Sequence, residues 1–167
     1  SDPGLIIGMD FCMPMIQIAE AKKTFSKIAN NKIEYLCGDA SQLPFSDYSF
    51  DLITIGFGIR NVENYINCLN ECMRVLNATG SLLILEFGQP TNRYWSIIFD
   101  LYARLILPLI GGVLTGSREA YQHLYESSRH FPCGNKFAEI IEKQGFSVQT
   151  VRSYLNGVVY AYHAKKL

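Results

Sequence analysis

Apolar residues along this chain fall into short β-rich runs separated by stretches of helical spacing. Leu5 to Met9 is apolar and stops at Asp10, which predicts a buried strand. Over 13–28 the positions Met15, Ile16, Ile18, Ala19, Phe25 and Ile28 recur at a helical spacing. Ile33 to Cys37 and Phe50 to Ile55 read as two further strands, each ending in a polar or glycine-bearing turn. Asn64 to Leu76 is amphipathic, with Leu69, Cys72, Met73 and Leu76 on one side, and Asn77 to Gly80 ends it. Ser81 to Leu85 is another apolar strand and stops at Glu86. This alternation predicts a mostly parallel sheet covered on both faces.

The pattern changes after Pro90. Tyr94 to Leu109 is strongly apolar, broken only by Ser96, Asp100, Arg104 and Pro108. Its uninterrupted apolar length falls short of the ~20 residues that cross a membrane, and Asp100 with Arg104 forms an i,i+4 pair inside it. A core-packing helix and a hydrophobic lid both fit. Gly111 to Gly116 reads as a hinge-like link, and Glu119 to Phe131 is polar and aromatic together. A helix over Asn135 to Gln144 is closed by Gly145. Phe146 to Tyr154 and Gly157 to Ala164 read as two strands joined at Leu155 and Asn156, with Asn156-Gly157 as the hairpin signal. They predict an antiparallel pair at the sheet edge. There is no internal repeat or interdomain linker, so residues 1–167 are expected to form a single domain with an insert at about 91–133.

Composition narrows the class. Hydrophobic residues are 49% and aromatic residues 13% of the 167 positions, enough for a real core. The 15 basic and 15 acidic residues cancel, and no basic stripe occurs, which disfavours a nucleic-acid partner. The five cysteines form no CxxC, and nothing resembles a signal peptide, so reduced cytoplasmic thiols are expected. Cys68 and Cys72 can share a helix face as small buried hydrophobes. His123, His130 and His163 have no ligand spacing, so no metal site is expected.

Candidate chemistry gathers at the strand ends, where open α/β sheets bind ligands. Asp10 can accept from both hydroxyls of a ribose, or can cap the helix that follows. Asp39 can accept from an adenine amino group while the Ala40 N–H donates to the ring, or can bond its own turn. Gly56-Phe57-Gly58 gives GxGxxN rather than a dinucleotide fingerprint, so Gly56 reads as a place where a ligand approaches the backbone closely. A nicotinamide-dependent oxidoreductase is disfavoured for the same reason. Arg60 and Asn61 then stand at the pocket mouth.

The segments GMDFCMPMI, IEYLCGDASQLPFSDYSFDLITIGFGIRNV, RVLNATGSLLILEF, LPLIGGVLTG, EAYQHLYESSRHFP and LNGVVYAYHA resemble the S-adenosylmethionine-dependent C-methyltransferases of ubiquinone and menaquinone biosynthesis, the UbiE type. The resemblance implies a Rossmann-like class I methyltransferase sheet, mostly parallel with a C-terminal antiparallel hairpin. It implies S-adenosylmethionine as cofactor, with Asp10 on the ribose, Asp39 and Ala40 on the adenine edge, and Gly56 on the methionine side. Arg60 and Asn61 are implied as the catalytic residues, facing a prenylated quinol whose ring carbon is methylated. The 95–114 and 119–131 stretches are implied as a cap over the ring and its tail. Peripheral contact with the inner face of a membrane and a homodimer are compatible with it. No DxGxGxG-like segment occurs, so the central first strand with its glycine-rich turn is expected to be missing from this chain. That leaves open a non-catalytic remnant or accessory protein retaining the fold.

Overall fold

The computed structural model describes residues 4–23, 32–101 and 126–167. In chain order the elements are β1 (Ile6–Asp10), α1 (Met13–Lys23), β2 (Ile33–Cys37), β3 (Phe50–Gly56), α2 (Tyr65–Val75), β4 (Leu76–Phe87), α3 (Arg93–Leu101), α4 (Asn135–Lys143), β5 (Phe146–Tyr154) and β6 (Val159–Lys166). β1 and β2 pair in parallel from Ile6 opposite Ile33 to Asp10 opposite Cys37. A second sheet has the order β3-β4-β6-β5, with β3 parallel to β4 and the other pairs antiparallel. Among the described residues no ladder joins the two sheets. One edge of β1 and one edge of β3 therefore have no partner strand there, which is where the resemblance puts the first strand. The expected hinge at 111–116 and most of the expected cap lie outside the described residues.

The core lies between one face of the larger sheet and the helices α2 and α4. Leu69 and Cys72 from α2 and Phe137 and Ile141 from α4 are buried with Leu82, Ile84, Phe146 and Tyr162. Phe137 sits at its centre, with its ring 4.8 Å from Phe131 and 5.1 Å from Tyr162. Strand alternation sends Leu83 and Leu85 to the opposite face, where they are 38% and 37% exposed, with Leu52 at 51%. Among the described residues no element covers this patch, where the sequence pattern predicts cover on both faces. A trough of about 460 Å³ lies here, bordered by Thr54, Leu83, Leu85, Arg152 and His163.

Three differences from the sequence pattern have local causes. β4 starts at Leu76 rather than Ser81, because the fully buried Leu76 already pairs with Phe50. The expected break at Asn77 to Gly80 becomes a bulge inside the strand, since Leu52 next pairs with Ser81. Asn77 Nδ2 donates to Asp51 Oδ1 at 2.7 Å across that bulge. The Asn156-Gly157 turn is wider than a two-residue hairpin: Leu155, Asn156 and Gly157 all have positive φ, and the ladder closes at Tyr154 and Val159. β6 also runs between β4 and β5, leaving β5 at the edge.

Two anchors fix the loop after β2 and the end of α2. Arg74 uses all five of its N–H donors. They reach both Glu71 oxygens, Asp47 Oδ1 and the carbonyls of Leu43 and Phe45 at 2.7–3.0 Å. The Leu43 N–H returns a bond to Glu71 Oε2 at 2.8 Å. Hydrogen bonds from Arg74 hold the Glu71 carboxyl below its usual range. Lys166 Nζ closes the helix end by donating to the carbonyls of Met73 and Leu76 at 2.6 and 2.7 Å.

Close approach dictates glycine at two places around Tyr160. A Cβ on Gly88 would lie 2.6 Å from the Tyr160 ring. One on Gly157, at φ +97°, would lie 2.7 Å from the Gln89 carbonyl and 3.1 Å from the Tyr160 hydroxyl.

Phe137→Ala removes the ring that joins α4 to the sheet. It is expected to lower the unfolding free energy by about 3–5 kcal/mol in urea titration.

Candidate active site

Parallel pairing brings Asp10 and Asp39 to one place. Asp10 ends β1 opposite Cys37, and the Gly38 N–H donates to the Asp10 carbonyl at 3.1 Å, one residue before Asp39. Each carboxylate spends one oxygen on its own turn. Asp10 Oδ1 accepts from the Cys12 N–H and Asp39 Oδ1 from the Ser41 N–H, both at 2.8 Å. Both side chains are exposed; no described residue bonds Asp10 Oδ2, and the Asp39 carboxylate also takes a bond from the Ser41 hydroxyl. The turn role of each aspartate and a ligand role are therefore compatible. The Ser41 backbone N–H, with its side chain second, holds the Asp39 carboxyl below its ordinary value. Ala40 packs against the core beside α2, and its N–H has no partner among the described residues.

The turn after β3 gathers Gly56, Arg60 and Asn61. No atom lies within 4 Å of where a Gly56 Cβ would stand, so the backbone there is open. Phe57 takes a positive φ of 55° and donates its N–H to Leu85 O. Ile59–Asn61 then form a single 3-10 turn, with Ile59 fully buried beneath it. Asn61 is exposed, and its side chain has no partner among the described residues.

Arg60 is not a loose loop cation. Its side chain is 8% exposed and its Nη1 lies 2.6 Å from Glu86 Oε1, itself 1% exposed. Nη1 also donates to Phe57 O at 2.6 Å and Nε to Ser127 Oγ at 3.3 Å. The guanidinium carbon is 5.1 Å from the Phe87 ring centre. Glu86 further accepts from the Arg60 and Phe87 backbone N–H groups at 3.3 and 2.8 Å. Glu86 was missed as a site residue in the sequence. Its only signal there is its place, as the charge that stops an apolar strand.

The structure thus forms two groups at carboxyl ends of strands: Asp10, Asp39 and Ala40 on the small sheet, and Gly56, Arg60 and Asn61 on the large one. Their common support is the 38–49 loop, pinned to α2 by Arg74 and Glu71. The remaining polar candidates have local roles. His130 Nδ1 is 2.8 Å from Glu126 O, and His163 Nε2 is 3.5 Å from Ser81 Oγ. Cys68 and Cys72 are buried together, and their mutual hydrogen bond lowers the Cys68 thiol and raises that of Cys72. Among the described residues no group of ligands could hold a metal ion.

Solved structures place the fold among the class I methyltransferases. A SAM-dependent methyltransferase from Aquifex aeolicus superposes with TM-score 0.66 at 16% identity, over 98% of this chain and 70% of that one. The cyclase SpnF superposes with TM-score 0.72 at 13% identity, over 98% and 67%. The same frame therefore carries different reactions. Sequence is more specific: the chain belongs to the ubiE/COQ5 methyltransferase family, whose model matches residues 1–166. It is 38% identical to a demethylmenaquinone methyltransferase of Staphylococcus haemolyticus over 93% of this chain and 63% of that protein. It is 36% identical to a ubiquinone/menaquinone biosynthesis C-methyltransferase of Bdellovibrio bacteriovorus, over 95% and 67%. The mitochondrial 2-methoxy-6-polyprenyl-1,4-benzoquinol methylase of Pongo abelii is 37% identical, over 97% and 49%. The chain thus spans about two thirds or less of the length of these relatives.

The Ser41 bond to Asp39 has a pH signature. A lowered folded-state value means the stabilisation is complete above the ordinary 3.8 and is lost as pH falls through the lowered value. Carboxyl-carbon NMR titration is expected to give Asp39 a midpoint below 3.8. Ser41→Pro, which removes the N–H, is expected to bring it back up.

Proposed function

We propose that this chain carries the adenosine-binding and quinol-facing parts of an S-adenosylmethionine-dependent C-methyltransferase of prenylated quinols. The substrate is a demethylmenaquinol or the ubiquinone-pathway benzoquinol. One observation carries the reading: Asp10 and Asp39 stand on adjacent strand ends, each with Oδ1 held by its own turn and the carboxylate exposed to solvent. Family membership and relatives named for quinol methylation support it. In this reading residues 1–167 form a single methyltransferase domain, with a cap over about 91–133.

Each residue then has a task. Asp10 accepts from the ribose hydroxyls, while Asp39 and the Ala40 N–H take the adenine edge. Gly56 lets the methionine side pass close to the backbone. When bound, S-adenosylmethionine supplies an electrophilic methyl on a sulfonium sulfur. Asn61 and Arg60 order the quinol hydroxyls, so that the ring carbon is aligned with that methyl and ionisation of the ring is favoured. The exposed Tyr94, Ile97 and Leu101 of α3 offer apolar surface to the prenyl tail. Among the described residues no helix is long and apolar enough to cross a membrane. In this reading the protein works from the cytoplasmic side and touches the bilayer peripherally.

A second reading is a non-catalytic accessory protein that keeps the fold; among the described residues β1 and β3 each have one edge with no partner strand. Among the described residues no glycine-rich turn stands between these edges to supply backbone donors to the methionine end. Calorimetric titration of the chain with S-adenosylmethionine is therefore expected to give binding weaker than micromolar. Labelled methyl transfer to a demethylated quinol in detergent, at millimolar cofactor, separates the readings. Transfer is expected from the wild-type chain, and its absence counts against catalysis by residues 1–167 on their own. Asn61→Ala is expected to lower turnover by about tenfold or more, with stability within ~0.5 kcal/mol of wild type. Undiminished turnover refutes the role given to Asn61.

A further inference from the structure

We propose that Glu86 is the positioning residue of the quinol-facing turn, acting through Arg60. The inference rests on the function proposed above for Arg60 and Asn61. Glu86 ends the inward-facing series Leu82, Ile84, Glu86 on β4, and at 1% exposure it is the only charged residue among the described ones to be fully buried. An apolar residue there would continue the strand pattern and spare the cost of drying a carboxylate. The carboxylate instead has two oxygens and three donors: Arg60 Nη1, the Arg60 N–H and the Phe87 N–H.

Those bonds join three separate pieces of chain. The Arg60 N–H belongs to the 3-10 turn that carries Asn61. Phe87 ends β4, and its ring lies 4.5 Å from the ring of Phe57, the residue with positive φ at the start of the turn. Through Arg60 Nε the network reaches Ser127, in the helical 126–130 segment that leads to the buried Phe131. Arg60 Nε and both Nη1 directions are thereby occupied, while Nη2 has no partner among the described residues. A guanidinium is a rigid planar fork. Fixing Nε and Nη1 fixes the direction of Nη2. Glu86 thus turns a long, many-rotamer side chain into a donor of set direction and balances its charge. It also holds the backbone that presents Asn61. Glu86 does not touch the substrate.

Hydrogen exchange reads this without requiring turnover, because the amides of Arg60, Asn61, Val62 and Phe131 are all hydrogen-bonded. Glu86→Gln keeps the size but puts an NH₂ group among donors. In the 167-residue chain it is expected to speed exchange by about tenfold in both the 57–62 and 126–131 peptides, while α4, β5 and β6 keep wild-type protection. Glu86→Asp keeps the charge and is expected to recover part of the protection in both. A change confined to residues 86–88, or an unaltered 126–131 peptide, overturns the proposal. If Glu86→Gln unfolds the whole chain, the same comparison is made with Glu86→Asp against wild type. The double variant Arg60→Met/Glu86→Leu fills the space without charge. It leaves the backbone N–H groups of residues 60 and 87 without their carboxylate acceptor and residue 127 without its guanidinium donor, so it is expected to keep the fast exchange in both peptides and to stay about tenfold or more below wild type in methyl transfer, with the KM for S-adenosylmethionine unchanged. Wild-type turnover in that variant overturns the proposal, since filling the space would then be enough. A wild-type chain without transfer counts against catalysis by residues 1–167 on their own, and the exchange comparison still decides the role of Glu86.

Discussion

No backbone ladder joins the two sheets among the described residues, so the relation between the two lips of the site rests on the 38–49 loop and its attachment to α2. Arg74 is the centre of that attachment. A single exposed ion pair contributes little, but Arg74 does something else. It satisfies two loop carbonyls and two carboxylates at once with a fork that has no spare donor. The loop that leaves Asp39 and Ala40 is thereby tied to the helix that follows Arg60 and Asn61. Ala40, resting on the same core as Cys68 and Leu69, adds an apolar contact to the polar one.

Arg60 shows the opposite use of the same side chain. It is buried, faces one fully buried carboxylate and stacks near an aromatic ring. Such a pair is weak evidence of net stability, because both charges are dried to form it. Its value lies in direction. It fixes a backbone turn that already holds a positive φ at Phe57, a conformation a non-glycine residue adopts only under constraint. Arg74 thus holds segments together, and the Arg60–Glu86 pair aims one.

Much of this was readable from pattern. The alternation of apolar runs foretold each described strand. The stop residues Asp10, Gly38 and Gly56 foretold where the strands end. What escaped depends on partners distant in sequence. Leu76 extends β4 because Phe50 lies beside it, and no local signal at Asn77 to Gly80 announces that. The place of β6 between β4 and β5 is a choice of neighbour, which alternation within β6 leaves open. Arg60 read as a charge at a pocket mouth, and its burial against Glu86 escaped, since that partner lies 26 positions away on another strand. The membership of Asp10 and Asp39 in one group was legible because parallel strands align their ends. The roles of both groups in binding rest on the family resemblance.

Tyr160 illustrates how such packing limits the drift of a sequence. Its ring fills the space that a Cβ on Gly88 would need, and its hydroxyl lies 3.1 Å from where one on Gly157 would stand. None of the three can be altered alone without a clash or a void. At Gly88 change has to be concerted, with a smaller side chain at 160 arriving before the glycine is lost, whereas Gly157 is held as well by its positive φ and the Gln89 carbonyl. In a lineage of such proteins the ring and its two glycines would be inherited together.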